Sequence, residues 1–147
     1  MFKLALGWSA AVVTTSVVGS LVQTQLNLAE IARIYRPVAV AERIETTLFD
    51  LGSFGPTWAA VVALGFLVAF VGAGLLARSW PARRGLLFPL AGFVAVLTAL
   101  LVMDAMLPVT VVAAARSVTG LVLLSLAGAL GGWVYLRIVS QRQKGRT

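Results

Sequence analysis

Four long runs of apolar residues divide the chain, and polar residues gather between them. The runs cover about residues 4–26, 58–77, 86–107 and 111–139. Each can supply the roughly 20 apolar residues that cross a hydrocarbon core about 30 Å thick. A span in lipid must be helical, because every backbone N–H and C=O group needs a partner within its own segment. The pattern predicts an all-α fold, a transmembrane four-helix bundle that forms a single domain over residues 1–147.

The connection between the first two runs, residues 27–57, is long and rich in polar residues. Within it, apolar residues recur at helical spacing: Val40, Ile44, Leu48 and Leu51. This spacing predicts one short amphipathic helix, which ends at the helix-breaking residues 52–56. We expect the helix to lie in the outer loop on the membrane surface or over the bundle. It is then either a plain connection or a lid, with Ile44, Leu48 and Asp50 as the lid or interface candidates.

Composition supports a membrane protein and excludes several kinds of chemistry. Hydrophobic residues make up 60% of the chain and charged residues 12%, whereas soluble domains average about 25% charged residues. The chain has no Cys and no His, which excludes disulfides, thiol chemistry, the usual zinc ligands and histidine-based catalysis. No cofactor or metal site is therefore predicted.

The charged residues predict how the chain is oriented in the membrane. Eight basic residues precede the first run, join the second to the third, or lie at or after the end of the fourth: Lys3, Arg78, Arg83, Arg84, Arg137, Arg142, Lys144 and Arg146. The other side carries four basic residues, Arg33, Arg36, Arg43 and Arg116, and all five acidic ones. The positive-inside rule then places both termini in the cytoplasm. Small size and simple topology favour a bacterial inner membrane.

Partners follow from the same charge pattern. The net charge is +7, and the basic residues flank the apolar runs. They therefore indicate binding to anionic lipid rather than to nucleic acid. Residues 140–147 form a basic tail suited to lipid headgroups. Tryptophans at the ends of the runs are typical of the membrane interface, and Trp58 is expected there at the outer end of the second run.

The first run carries a polar stripe. Its members follow one helix face: Ser9, Ser16, Ser20, Gln23, Asn27 and Glu30. Unpaired polar groups are costly in hydrocarbon, so the stripe is expected to face other helices, a partner chain or water. Two interpretations remain open, namely hydrogen bonding between helices and the lining of a ligand or ion path.

Asp104 is the acidic residue inside an apolar run, and Arg116 is its expected partner across the hairpin of the third and fourth runs. The pair is either structural or a site for a cation, a proton or a polar headgroup. With residues of the first run, it predicts an outward-facing polar pocket at the outer leaflet. The ligand or ion-binding candidates are Asp104, Arg116, Gln23, Asn27 and Glu30.

Small residues recur at intervals of four in the later runs, which allows helices to approach closely. The helix-packing candidates are Gly65, Ala69, Ala73, Gly128 and Gly132. Such rows suit packing within one bundle, and they also suit self-association or contact with other membrane subunits.

Three functions are compatible with the sequence. The first is a non-enzymatic subunit of a homo-oligomer or larger membrane complex, with membrane lipids as further partners. The second is a small transporter or channel that uses the polar stripe and Asp104. The third is an enzyme acting on a lipid or other apolar substrate, for which Asp104, Glu30, Arg116 and Asp50 would be the available ionisable groups.

Overall fold

Four long helices account for most of the chain. The computed structural model describes residues 2–106 and 112–144, of which 141–144 are described by their backbone alone. The helices are α1 (Phe2–Ile34), α2 (Val40–Ser79), α3 (Arg84–Met106) and α4 (Val118–Lys144), with 3₁₀ turns at Pro81–Arg83 and Ala113–Arg116. All four are long and apolar enough to cross a membrane, which confirms the predicted all-helical, four-span architecture. The boundaries predicted at residues 107 and 111, and the tail residues 145–147, lie outside the described residues.

The helices form a closed bundle in which sequence neighbours are antiparallel. α1 packs against α2 and α4, and α3 completes the bundle by packing against the same two helices. Near the N-terminus, Gly7 of α1 faces Tyr135 and Val139 of α4. Large buried side chains from three helices fill the centre: Trp58, Phe66, Val96, Leu100 and Leu124. We call the end of the bundle with the N-terminus and the 3₁₀ turn at Pro81–Arg83 the basic end, and the opposite end the acidic end.

The predicted break between the amphipathic segment and the second span is absent. α2 runs from Val40 to Ser79 without interruption and contains Pro56, so the short helix is the first part of α2 and not a separate element. Proline removes one helical hydrogen bond, a loss that membrane helices tolerate where neighbouring groups compensate. The Ser53 hydroxyl donates to the carbonyl of Phe49 at 2.8 Å, and the ring of Phe54 stacks on that of Trp58 at 5.9 Å.

α1 and α2 extend together beyond the other pair. α1 continues to Ile34, so residues 35–39 are all that connects it to α2, far fewer than the predicted loop of residues 27–57. At 1.5 Å per residue, α2 is about 60 Å long and α3 about 35 Å long. Hydrogen bonds join the projecting parts, as Gln25 donates to Thr47 and Arg43 donates to Gln25, both at 3.2 Å.

An ion pair closes the connection between α1 and α2. The guanidinium of Arg36 donates two hydrogen bonds to the carboxylate of Glu42, at 2.8 and 3.0 Å. These bonds and the attraction of the carboxylate raise the pKa of Arg36. Because the pair is exposed to solvent, it fixes the geometry of the turn more than it contributes to stability.

Trp58 is buried inside the bundle and does not face headgroups, which corrects the expectation of an indole in the interfacial belt. Its side chain is 1% exposed and its Nε1 atom points at Gly19 of α1. The absence of a side chain on Gly19 gives the indole room between the two helices.

The α-helix of the fourth span begins later than the apolar run predicted for it. Residues 113–116 form a 3₁₀ turn, and α4 begins at Val118. Ser117 explains the boundary, because its hydroxyl accepts a hydrogen bond from the N–H of Gly120 at 3.0 Å. This is the geometry of a serine cap at a helix N-terminus.

The small residues lie inside the bundle. Gly128 and Gly132 of α4 contact the backbone of α3 around Gly92 and Phe88. Gly65 of α2 faces Ala95 of α3. Ala69 and Ala73 line a groove between the same two helices. The glycines of these rows therefore serve contacts within one chain.

Candidate functional site

The residues predicted to form an outer pocket differ in their exposure. Gln23 is buried, Asn27 is half-buried, and Glu30 is exposed on α1, where its carboxylate lies 3.9 Å from the guanidinium of Arg33. Asp104 is exposed near the end of α3, and Arg116 is exposed in the 3₁₀ turn before α4. The ion pair between them stays a prediction.

Of the lid candidates, Asp50 makes the contact that joins two helices. The Thr24 hydroxyl donates to Oδ2 of Asp50 at 2.7 Å and lies 2.9 Å from the carbonyl oxygen of Ser20. Ile44 and Leu48 are exposed and line a shallow cavity of about 190 Å³ at the acidic end. That cavity is not lined by Gln23 or by the other predicted ligand-binding residues.

The polar stripe of α1 is buried in its middle section. Ser16, Ser20 and Gln23 are at most 8% exposed, whereas Ser9 and Glu30 face outward. Beside the stripe, Thr15 donates to the carbonyl of Ala127 in α4 at 3.2 Å. In the described chain, Ser16 Oγ, Ser20 Oγ, Gln23 Oε1 and Trp58 Nε1 are buried without a hydrogen-bond partner.

A larger cavity lies at the other end of the molecule. It has a volume of about 620 Å³, within the range of about 300–1,000 Å³ typical of ligand pockets. We call it the α1–α2 cleft. Residues of all four helices line it: Leu4, Ala5, Trp8, Phe66, Leu67, Phe70, Val71, Gly74, Leu75, Arg78, Arg84, Phe88, Tyr135 and Val139.

The first turns of α1 pack closely against the end of α4 beside the cleft. Gly7 lets α1 approach Tyr135 and Val139 closely. On the side of α2, Leu67, Val71 and Leu75 line the cleft and are exposed, with Leu75 56% exposed. The cleft therefore has an exposed apolar rim on the side of α2.

Four aromatic rings form the inner wall of the cleft. Phe70 lies 4.6 Å from Phe66 and 4.6 Å from Tyr135, measured between ring centroids. Phe88 lies 5.9 Å from Phe70 and 5.1 Å from Tyr135. These separations are those of favourable aromatic pairs, and they give the cleft a rigid apolar surface.

Two arginines stand at the end of the cleft. Arg78 lies in the last turn of α2 and Arg84 begins α3. The guanidinium of Arg84 lies 5.8 Å from the ring of Phe88. Nε of Arg84 and Nε1 of Trp8 are buried and have no hydrogen-bond acceptor in the described chain. The site thus joins an apolar wall to unpaired N–H donors.

The sequence contained a signal for this site that periodicity alone does not reveal. Arg78 and Arg84 flank a tight turn, and Trp8 and Tyr135 occur at corresponding depths in the first and fourth runs. Only the approach of α1 to α4 brings these residues around one cavity.

The comparisons with known proteins give no family for this chain. No protein-family model, no curated protein and no solved structure matches it. In the described residues, no group of three or more His, Cys, Asp or Glu side chains is placed to hold a metal ion.

Proposed function

We propose that this chain is a non-enzymatic membrane subunit that holds a lipid molecule in the α1–α2 cleft. The observation that carries the proposal is the cleft itself, an apolar cavity of about 620 Å³ with an aromatic wall and an exposed apolar rim. Lipid chains are the apolar molecules most abundant around such a rim. The bound lipid fills a space that the helices of one chain leave between them.

The proposal includes the sidedness and the assembly expected from the sequence. The basic end is taken to be cytoplasmic, so the cleft faces the inner leaflet of a bacterial inner membrane. The subunit acts in a homo-oligomer or in a larger membrane complex. Its contacts would use outer helix faces, because the glycines of α4 pack within the chain.

A variant that fills the cleft tests the proposal. A Cβ atom added at Gly74 meets nothing within 4 Å, and this residue lines the cleft. Gly74→Leu is therefore expected to exclude the lipid without disturbing the helices. The amount of lipid that remains bound after purification in mild detergent is measured by native mass spectrometry.

Gly72→Leu is the matched control. A Cβ atom added there also meets nothing within 4 Å, and Gly72 lies on α2 outside the cleft. We expect the parent chain and Gly72→Leu to retain a lipid that Gly74→Leu lacks. Equal lipid retention by all three proteins would refute the proposal.

A small transporter is a second candidate, and the buried polar stripe favours it. Ser16, Ser20 and Gln23 place unpaired oxygen atoms inside the bundle, between the Thr24–Asp50 contact and the cleft. Such atoms suit a path for protons or small cations. Cation or proton flux into proteoliposomes should then fall in Gln23→Leu. Flux that is unchanged in Gln23→Leu, Glu30→Gln and Asp104→Asn would eliminate this candidate.

A further inference from the structure

We propose that the lipid held in the α1–α2 cleft is anionic, with its phosphate bound by Arg78 and Arg84. This inference rests on the proposed function and names the class of lipid. The acyl chain would lie along the aromatic wall formed by Phe66, Phe70 and Phe88. The headgroup would lie at the basic end, where the cleft meets the turn between α2 and α3.

The positions of the two arginines suit one phosphate group. The 3₁₀ turn Pro81–Arg83 separates them in the chain, so they meet across a tight hairpin. Both also line an adjoining cavity of about 220 Å³, together with Gly74 and Phe88. Guanidinium groups bind phosphate oxygens with paired, charge-assisted hydrogen bonds.

The buried Nε atom of Arg84 points to a ligand. It lies in the interior without an acceptor in the described chain, although an unpaired donor of a charged group is costly to bury. An oxygen atom of a headgroup beside Arg84 would satisfy it. The unpaired indole N–H of Trp8 in the same cleft is suited to an ester or phosphate oxygen.

The start of α3 independently favours an anion. Arg84 is the first residue of this 23-residue helix, and the first turn holds no acidic residue. A helix N-terminus carries partial positive charge, so a cation in its first turn is unfavourable unless an anion lies nearby. A phosphate between Arg78 and Arg84 would offset this charge.

Charge also distinguishes a lipid from a second copy of the chain. All five acidic residues of the sequence lie between Glu30 and Asp50 or at Asp104, away from the basic end. A second copy with the same orientation would bring more arginines to Arg78 and Arg84. An anionic lipid brings the opposite charge and an apolar chain together.

The test compares lipid classes in the cleft. The parent chain is placed in bilayers of equal parts phosphatidylglycerol and phosphatidylcholine, and the lipids retained after extraction are quantified by native mass spectrometry. Both lipids carry a phosphate, but the choline cation of phosphatidylcholine cancels its charge and is repelled by the two arginines. We therefore expect a preference of about tenfold for phosphatidylglycerol, the order expected for one unlike charge close to a partly hydrated site. Arg78→Gln/Arg84→Gln should retain both lipids equally.

Arg83→Gln is the matched control, since Arg83 lies in the same turn, is exposed and does not line the cleft. It should keep the preference, and Arg78→Lys/Arg84→Lys should keep part of it. A preference unchanged in Arg78→Gln/Arg84→Gln, or lost equally in Arg83→Gln, would overturn the inference. Complete displacement of the lipid by inorganic phosphate would overturn it too, because the site would then serve a free anion.

The outcomes separate this inference from the proposed function. If Gly74→Leu removes lipid while the parent chain shows no preference, the cleft binds lipid and the anionic specificity is wrong. If Gly74→Leu retains as much lipid as the parent, the proposed function itself fails.

Discussion

At the scale of single residues, Gly19 makes room for the indole of Trp58. A Cβ atom at position 19 would lie 2.6 Å from Nε1 of Trp58, and a rigid ring in a close-packed core has little freedom to move away. We expect Gly19→Ala to lower the free energy of unfolding by about 1–3 kcal/mol, measured by reversible denaturation in mixed micelles. Gly72→Ala should leave stability unchanged or raise it, since alanine favours helix. An equal loss of unfolding free energy in both variants would mean that the helix backbone causes the effect, and not the contact with Trp58.

Thr24 supplies a second test at this scale. Its hydroxyl contacts both Asp50 on α2 and the carbonyl of Ser20 on its own helix, whereas the Thr46 hydroxyl bonds to the carbonyl of Glu42 on its own helix. Valine keeps the shape of threonine and removes the hydroxyl. We expect Thr24→Val to lower the free energy of unfolding by about 1 kcal/mol more than Thr46→Val, in the range of interhelical hydrogen bonds. The same denaturation assay measures both, and equal effects would mean that the Asp50 contact adds nothing.

Single residues also show the limit of sequence reasoning. Trp58 is the first residue of the second apolar run and lies shortly after a Gly-Pro pair. An interfacial tryptophan is expected at such a position. Its burial depends on Gly19, which lies 39 positions earlier in the chain. No local pattern links the two. Gln23, in contrast, was predicted to be buried from its own helix face alone.

At the scale of whole elements, close approach of α3 and α4 depends on glycine. A Cβ atom at Gly128 would overlap the backbone of Gly92 and lie 2.6 Å from Cγ2 of Val96. We expect Gly128→Ala to push the helices apart and lower the free energy of unfolding by about 1–3 kcal/mol. The chain has no cysteine, so spin labels on Val94→Cys and Leu126→Cys report the distance between the helices. The same pair in Gly72→Ala should show the parent distance, and an unchanged distance in Gly128→Ala would contradict the prediction.

The helices were predictable in number and type because each span must satisfy its own backbone in lipid. The continuity of α2 could not be predicted from the sequence. Residues 52–56 contain two glycines and a proline, which in water would end a helix. Contacts with α1 hold this segment helical, through Trp58 against Gly19 and Asp50 against Thr24. Local propensity was overridden by packing between elements.

At the scale of the whole molecule, the polar cluster predicted from the sequence and the α1–α2 cleft lie at opposite ends. The sequence directed attention to acidic and amide residues near the acidic end, because polar groups in hydrocarbon stand out. The α1–α2 cleft is formed by residues that are ordinary for a membrane helix, such as Phe66, Phe70 and Leu75. A cavity depends on the angles between helices, and composition contains little information about those angles.

Sidedness decides which leaflet the cleft faces. The segments at the basic end carry eight basic residues and no acidic residue, against four basic and five acidic residues elsewhere. Short basic loops are retained in the cytoplasm, so both termini should be cytoplasmic. A green fluorescent protein fused after Thr147 should fluoresce, and alkaline phosphatase fused there should be inactive. The same reporters inserted at residues 35–39 should give the opposite result.

Phosphatase activity of the fusion after Thr147 would mean that the orientation is the opposite of the predicted one. Arg78 and Arg84 would then lie at the outer leaflet. The anionic headgroup proposed for them would then have to come from the outer leaflet. Removing positive charge tests the cause, because Arg142→Gln/Lys144→Gln takes two basic residues from the C-terminal end of α4. We expect this variant to keep its orientation, since six basic residues at the basic end still outnumber the four on the opposite side. The six are Lys3, Arg78, Arg83, Arg84, Arg137 and Arg146. A mixed population by the reporter assay would show that the C-terminal charges determine the topology.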